Sequence, residues 1–486
     1  MMQISMYIHG VAVPASNGAT FERRNPLDGS LATVAPAATL QDAMAAADAA
    51  AAAFKGWSQT GPGERRAVLL RAAQLLESKA QDFAAAMLAE TGASALWAGF
   101  NVRLAAAMLL EAAALTTQIQ GAVIPSDVPG SLALAVRQPA GVVLAMAPWN
   151  APVILGVRAL ATALACGNTV VFKAHERCPA THGLIVQVLQ EAGLPPGVVN
   201  LISHAPADAP TLVNALIAHP AVRRINFTGS TRVGKHIALS CAAHLKPVLL
   251  ELGGKAPLLV LDDADIDAAV DAAAFGAFAN AGQICMSTER IVVDAAVADA
   301  FVHKLVARVA ALPQGDPRDP RHGAVVLGAV VDMDTVQHCN ALIDDALAQG
   351  ASLLTGGKAT GTLMPATLLD RVTAQMRIFH EESFGPVKAI VRVQGVEAAV
   401  ACANDNAYGL SAAVFGRDVA RALEVAGRIA SGICHINGPT VHDEAPMPFG
   451  GVKGSGMGHF GGQAGIAAFT DLRWITVQTG PRHYPF

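Results

Sequence analysis

Cysteine is sparse and unpaired in this chain. The seven cysteines, Cys166, Cys178, Cys241, Cys285, Cys339, Cys402 and Cys434, are odd in number, widely scattered and never spaced CxxC. That pattern excludes a disulfide framework and a zinc knuckle, and it fits the reducing cytoplasm. HExxH is missing, and the histidines lack companion ligands, so no metal site is expected. The serine-hydrolase elbow GxSxG is also missing. A formal net charge of −4 over 486 residues, without a Lys/Arg-rich block, leaves no electrostatic footprint for nucleic acid. No uninterrupted apolar run reaches the roughly 18 residues of a membrane span. The start "MMQISMYIHG" lacks the charged-then-apolar order of a signal peptide. A small-molecule substrate is expected, with neither nucleic acid nor membrane as partner.

What is present is a long chain with strong periodic patterning. Its length calls for two or more domains with ample core. "TLQDAMAAADAAAAAFKGW" (39–57) and "GERRAVLLRAAQLLESKAQDFAAAMLAETG" (63–92) read as helices, the second closing on Gly92. The alanine run is read as a small-residue helix packed close to its neighbours rather than as low complexity.

From residue 140 the pattern changes to short β-rich runs, "GVVLAMAPW", "NTVVFKA", "GVVNLIS", "RRINFTGS" and "KPVLLELGG", most of them separated by helical stretches. Runs apolar on both faces with helices between them predict a parallel sheet covered on each side. A second series follows, with "APLLVLD", "ERIVVD", "AVVLGAVV", "AIVRV", "SAAVFG" and "GICHIN" read as strands. The fold class is therefore α/β, with a domain boundary near Glu251 to Gly254. "GSLALAVRQPAG" (130–141) and "LRWITVQTG" (472–480) have strand character outside both series, and pair either together or with another subunit.

Two familiar motifs fail on inspection. "GSTRVGKH" (229–236) fits GxxxxGK but offers His236 where a phosphate loop needs Ser or Thr. "GMGHFG" (456–461) satisfies GxGxxG but follows a glycine-rich loop instead of a strand. Other stretches remain open between a chemical and a bland reading. "INFTGSTRVG" offers a strand, a tight turn at Gly229 and a helix start near Ser230, suited to an anionic group or to an ordinary N-cap. Glu251 in "LELGGKAP" is a general base with a raised pKa if it sits in apolar surroundings, or a strand-end carboxylate facing solvent. Asn150 in "APWNAP" is an oxyanion-hole amide or a turn residue. Cys285 in "NAGQICMSTER" is a nucleophile or a small buried hydrophobe, with six other cysteines competing.

In chain order, "APWNAP", "FKAHERCPAT", "FTGSTRVG", "LELGGK", "GQICMSTER", "EESFGPV" and "MPFGGVKGSGMG" resemble the aldehyde dehydrogenase superfamily, over almost the whole chain from "NPLDG" at 25–29. The resemblance implies a Rossmann-like NAD-binding domain (1–120 and 140–251), an α/β catalytic domain (252–452) and an oligomerisation β-arm (121–139 and 467–486) that joins homodimers or homotetramers. It makes Cys285 the nucleophile, Glu251 the base and Asn150 the oxyanion-hole amide. Lys173 and Glu176 would hold the adenosine ribose, Gly229 and Ser230 the pyrophosphate, and Glu382 and Phe384 the nicotinamide ribose side. Trp149, Gly234 and Leu252 complete the cofactor set. A carboxylate at Glu176 favours NAD, since it repels the 2′-phosphate of NADP. Arg232, where relatives usually carry glutamate, pulls the other way if it points inward, and His175 replaces a small residue.

Within the superfamily, "PWNAPVILGVRALATALACGNTVV" and "HDEAPMPFGGVKGSGMGHFGG…FTDLRWITVQ" resemble the bacterial aromatic-aldehyde branch, the salicylaldehyde and vanillin dehydrogenases of aromatic hydrocarbon catabolism. That likeness implies a substrate tunnel lined by Trp97, Arg158, Ile284, Met286 and Phe449. The plainer alternatives are that Trp97 and Met286 are core and that Arg158 pairs with a carboxylate at the surface of its helix. An aliphatic or semialdehyde substrate is the alternative specificity. Retention of Glu251 speaks against a CoA-acylating enzyme, and retention of cysteine, base and amide together speaks against a non-catalytic role.

Overall fold

The computed structural model describes residues 1–322 and 324–486. Two large sheets organise it. The parallel centre of the first runs, in spatial order, Val248–Glu251, Val222–Thr228, Val142–Met146, Thr169–Lys173, Val199–Ile202. The strands 142–146 and 169–173 are buried at every position, as strands covered by helices on both faces must be. From Val142–Met146 the chain steps outward on one side, then returns to build Val222–Thr228 and Val248–Glu251 on the other. The crevice outside the carboxyl ends of strands at such a reversal is where open α/β sheets bind ligands. Trp149 and Asn150 follow one of the two flanking strands, and Gly229 follows the other.

Short antiparallel strands close this sheet at both ends. Met6–Ile8 and Val11–Val13 cover one side, and Gly456–Met457 pairs with Leu250 and Glu251 on the other. The Ser455 carbonyl accepts from Leu252 N–H at 2.9 Å, and its hydroxyl donates to the Gly253 carbonyl at 2.7 Å.

The second sheet has seven strands, ordered Ser352–Thr355, Thr367–Asp370, Val387–Val393, Thr288–Asp294, Ala256–Val260, Ser411–Phe415, Ile433–Ile436. The expected strand "AVVLGAVV" is absent from it. Among residues 324–331 only Leu327 makes an isolated bridge, to Gln314, and the segment's apolar side chains fill core instead. Two strands that the sequence did not announce, 352–355 and 367–370, take the edge. The helix expected over 63–92 is likewise two, Pro62–Ser78 and Ala80–Thr91, broken at Lys79 and ended by Gly92 at φ 69°. The alanine-rich helix Leu40–Gln59 begins with a capping box between Thr39 and Asp42.

The two orphan strands find each other. Thr470–Gln478 pairs antiparallel with Ser131–Pro139, and Ala122–Ile124 adds a third strand. This arm shows solvent several apolar side chains, among them Val123, Ile124, Leu472 and Trp474, the last 77% exposed. Among the described residues, Ala95–Leu115 is the one helix long and apolar enough to cross a membrane. It packs instead against the helices 62–78 and 152–165, burying Trp97, Val102, Leu109 and their neighbours.

Candidate active site

Cys285 is held by a strained and cross-braced loop. Asn280 and Ala281 adopt left-handed backbone angles (φ 49° and 53°), followed by Gly282 at φ 72°. Each non-glycine residue in that region costs about 1–2 kcal/mol, so the conformation must be fixed from outside. The Gln283 side chain does part of this, accepting from Val331 N–H at 2.9 Å and donating to the Asn280 carbonyl at 3.1 Å. Asn150 does the rest. Its Nδ2 donates to the Gln283 carbonyl at 2.9 Å, while its own carbonyl accepts from Asn280 Nδ2 at 3.1 Å and Trp97 Nε1 at 2.8 Å. One Asn150 amide proton is thereby committed and the second is left for another acceptor.

The glycine pair after Glu251 lets this loop approach. A Cβ on Gly254 would lie 2.3 Å from the Cys285 carbonyl oxygen, and one on Gly253 would lie 2.6 Å from Glu382 Oε2. At Gly254, where the neighbour is backbone, only hydrogen fits.

Glu251 ends its strand 1% exposed, not facing solvent. Neither carboxylate oxygen has a partner at normal hydrogen-bond geometry. Burial raises its pKa to about 7, against the opposing pull of Arg158 and of the Cys285 thiol. Burial and then the nearby Glu251 carboxylate push the half-buried Cys285 thiol well above its ordinary range. The other six cysteines are free, and none lies on this wall.

Cys285, Asn150, Trp97, Arg158, Ile284, Met286 and Phe449 all line a single cavity of about 620 Å³. Its walls are chiefly apolar, with Phe100, Ile154 and Leu155 added to the expected residues. Trp97 stacks on Phe100 with centroids 5.4 Å apart. Arg158 does pair with a carboxylate, that of Asp443, but the pair is buried, with side chains 6% and 7% exposed. The guanidinium also lies 4.1 Å from the Phe449 ring centroid.

A second group of residues gathers at the carboxyl ends of the first sheet. Lys173 is only 8% exposed, and burial lowers its pKa while Glu176 raises it. Burial opposes ionisation of Glu176, but His175 and Lys173 outweigh it and hold the carboxyl at about 2. His175 Nδ1 lies 3.2 Å from Glu176 Oε2. At the start of the helix Thr231–Ala243, the Ser230 hydroxyl takes only a long 3.4 Å bond from Val233 N–H. The first-turn amides are thus available to an anion. A Cβ on Gly234 would meet Leu252 Cδ2 at 2.4 Å, so the helix start lies tight on the strand end. Arg232 is exposed. Trp149 and Phe384 meet edge to face at 5.7 Å, Phe384 at a left-handed φ of 43°. The two neighbouring glutamates differ sharply. Glu381 pairs with Arg377 on the surface, whereas Glu382 Oε1 accepts from Gly254 N–H at 3.0 Å, and burial raises its pKa to about 8.

Residues 13–475 match the aldehyde dehydrogenase family. The chain belongs to that family. It is 61% identical to a vanillin dehydrogenase of Pseudomonas fluorescens, with both chains covered in full. It is 50% identical, again over the full length of both, to a salicylaldehyde dehydrogenase of Pseudomonas sp. strain C18. The crystal structure of a salicylaldehyde dehydrogenase from Pseudomonas putida G7 complexed with salicylaldehyde superposes with a TM-score of 0.98 over all of both chains at 50% identity. As an aldehyde dehydrogenase, the protein is an NAD(P)-dependent oxidoreductase acting on aldehydes, and the Lys173, Glu176 and Ser230 groups suit the diol and pyrophosphate of such a dinucleotide. Sequence reading of this aldehyde dehydrogenase missed Gln283, Asn280 and Asp443. The first two sit inside the recognised "NAGQIC" stretch, where their bracing role depends on Asn150 and Val331, both remote in sequence. Asp443 carried no signal, because its partner Arg158 is remote in sequence.

Proposed function

We propose that this aldehyde dehydrogenase oxidises an aromatic aldehyde to the carboxylic acid with NAD as acceptor. The observation that carries the reading is the cavity. At about 620 Å³ it falls within the roughly 300–1,000 Å³ of small-molecule sites, and it surrounds Cys285 with aromatic and aliphatic walls. The substrates named for the relatives, vanillin and salicylaldehyde, are the class such walls suit.

In this mechanism Cys285 attacks the aldehyde carbon after its proton passes to Glu251, whose pKa near 7 matches that task. The thiohemiacetal oxygen accepts hydrogen bonds from the uncommitted Asn150 N–H and the Cys285 backbone N–H. The dinucleotide, when bound, supplies the acceptor for the aldehyde hydride. Cys285 is left carrying a thioester; Glu251 gives up to solvent the proton it took from the thiol, then takes one from the water that attacks the thioester, releasing the carboxylic acid and the Cys285 thiolate. Lys173 and Glu176 would hold the adenosine ribose, Gly229, Ser230 and Gly234 the pyrophosphate with Leu252 packed against Gly234, and Trp149, Glu382 and Phe384 the nicotinamide side. The ionised Glu176 supports NAD over NADP.

The same reading assigns 1–120 and 140–251 to the dinucleotide, 252–452 to the nucleophile, and the arm 121–139 with 467–486 to contact between identical subunits in a dimer or tetramer. The exposed apolar side chains of the arm support that last assignment. Comparing kcat/KM for benzaldehydes, short aliphatic aldehydes and succinic semialdehyde tests the substrate class. A preference for an aliphatic substrate would overturn the aromatic assignment and leave the chemistry intact.

A further inference from the structure

The cavity has one polar corner, formed by Arg158 and Asp443. Both line it, and both side chains are more than nine-tenths buried. Arg158 Nη2 donates to Asp443 Oδ2, and the guanidinium is laid against Phe449. An arginine placed only to neutralise a buried aspartate can serve both carboxylate oxygens with its fork of donors. Here it serves one. Asp443 Oδ1 is equally buried and has no hydrogen-bond partner. The adjacent His442 offers no relief, because its Nε2 is turned to Glu444 at 2.9 Å. A buried carboxylate oxygen without a donor is unfavourable, and Asp443 belongs to the wall of the cavity, from which a donor can approach it.

Building on the aromatic reading, we propose that Asp443 is a specificity-determining residue that accepts a hydrogen bond from a hydroxyl on the substrate's ring, so that hydroxylated benzaldehydes are preferred. In this arrangement Arg158 fixes Oδ2 and stands on Phe449, and Oδ1 takes the ring O–H. An O–H donor to an ionised carboxylate in an apolar cavity forms one of the stronger hydrogen bonds available. An unsubstituted ring leaves Oδ1 unpaired, and a methyl ether fills the same space with no proton to give. Sites built to bond a hydroxyl discriminate against analogues that lack it far better than apolar pockets discriminate by size.

The test compares kcat/KM for benzaldehyde, for 2-, 3- and 4-hydroxybenzaldehyde, and for the three matching methoxybenzaldehydes. In the wild type, at least one hydroxy isomer should exceed both benzaldehyde and its own methyl ether by about 10- to 100-fold, the range expected of a hydrogen bond to a charged group. Asp443→Asn keeps an oxygen for Arg158 and turns an NH₂ to the ring. In that variant the hydroxy-to-methoxy ratio should fall to within about threefold. The proposal is overturned if no hydroxy isomer outperforms its ether in the wild type, or if the ratio survives in the Asn variant. The wild-type comparison decides alone should the variant not fold. If none of the benzaldehydes is turned over while an aliphatic aldehyde is, the aromatic reading itself has failed and takes this inference with it.

Discussion

Glu251 offers a direct measurement of the price of a buried base. Its pKa rises from an ordinary 4.5 to about 7 on folding, mainly through burial. The folded protein therefore holds the proton more tightly than the unfolded chain, and the sign follows. Stability is full below pH 4.5, falls as pH rises, and levels off once the folded carboxyl ionises near 7. At about 1.4 kcal/mol per unit, the total is about 3 kcal/mol, of which about 2 kcal/mol lies between pH 5.5 and 8.5. Glu251→Gln removes the titration while keeping the shape. Urea unfolding of both proteins at pH 5.5 and 8.5 isolates the contribution as a difference of differences. The variant should gain about 2 kcal/mol on the wild type between those two pH values. In parallel, the acid limb of the wild-type kcat/KM profile should fall near pH 7, with loss of activity below it, and should vanish in the variant along with most of the turnover. A stability difference that does not move with pH, or an unchanged acid limb, would refute a buried, ionising Glu251.

Other expectations follow from the same geometry. Cys285→Ala should abolish aldehyde-dependent NADH formation while still binding NADH by fluorescence; most of the turnover surviving would remove Cys285 from the mechanism. Gly254→Ala, with a Cβ 2.3 Å from the Cys285 carbonyl, should displace the nucleophile and reduce kcat about 100-fold. Turnover within threefold of wild type would show that the loop yields to the methyl group. Arg158→Met strands the Asp443 charge in the interior and should destabilise by about 3–5 kcal/mol in urea. Adding Asp443→Leu should recover most of that loss, and failure to recover would place the damage in packing against Phe449. Glu176→Gln removes the charge that opposes a 2′-phosphate, so the ratio of NADP to NAD use in kcat/KM should rise severalfold; a fixed ratio would mean that another group sets the preference.

Much of this architecture is legible in the amino-acid sequence. Strands 142–146 and 169–173 are continuous apolar runs ended by distinctive turns, and their buried parallel sheet follows from that. The motif order picked Cys285 out of seven cysteines, which its own neighbours could not do. "AVVLGAVV" shows the limit. A short apolar run does not say whether its backbone joins a ladder, and here its side chains enter core while the ladder uses the less conspicuous 367–370. Lys79 shows another, since a helix-forming stretch can break where helices turn to pack. Asn280 and Ala281 are hidden for a different reason. Neither residue type demands a left-handed backbone, and the hydrogen bonds that impose it come from Asn150 and Gln283. The Arg158–Asp443 pair was invisible because contact between remote segments exists only once the two sheets have assembled.

The strip Ser455–Met457 also bears on how the protein is made. It lies beside the strand that ends in Glu251, yet it is synthesised long after Cys285, Asn150 and Glu251 have left the ribosome. A nascent chain therefore carries the nucleophile and its base before the strand beneath them has its second neighbour. Without that strip, the strand ending in Glu251 would have a single ladder neighbour, Val222–Thr228, and an unpaired second edge. Completion of the sheet around the base thus depends on a segment, more than 200 residues further along the chain, that brings no reactive group of its own.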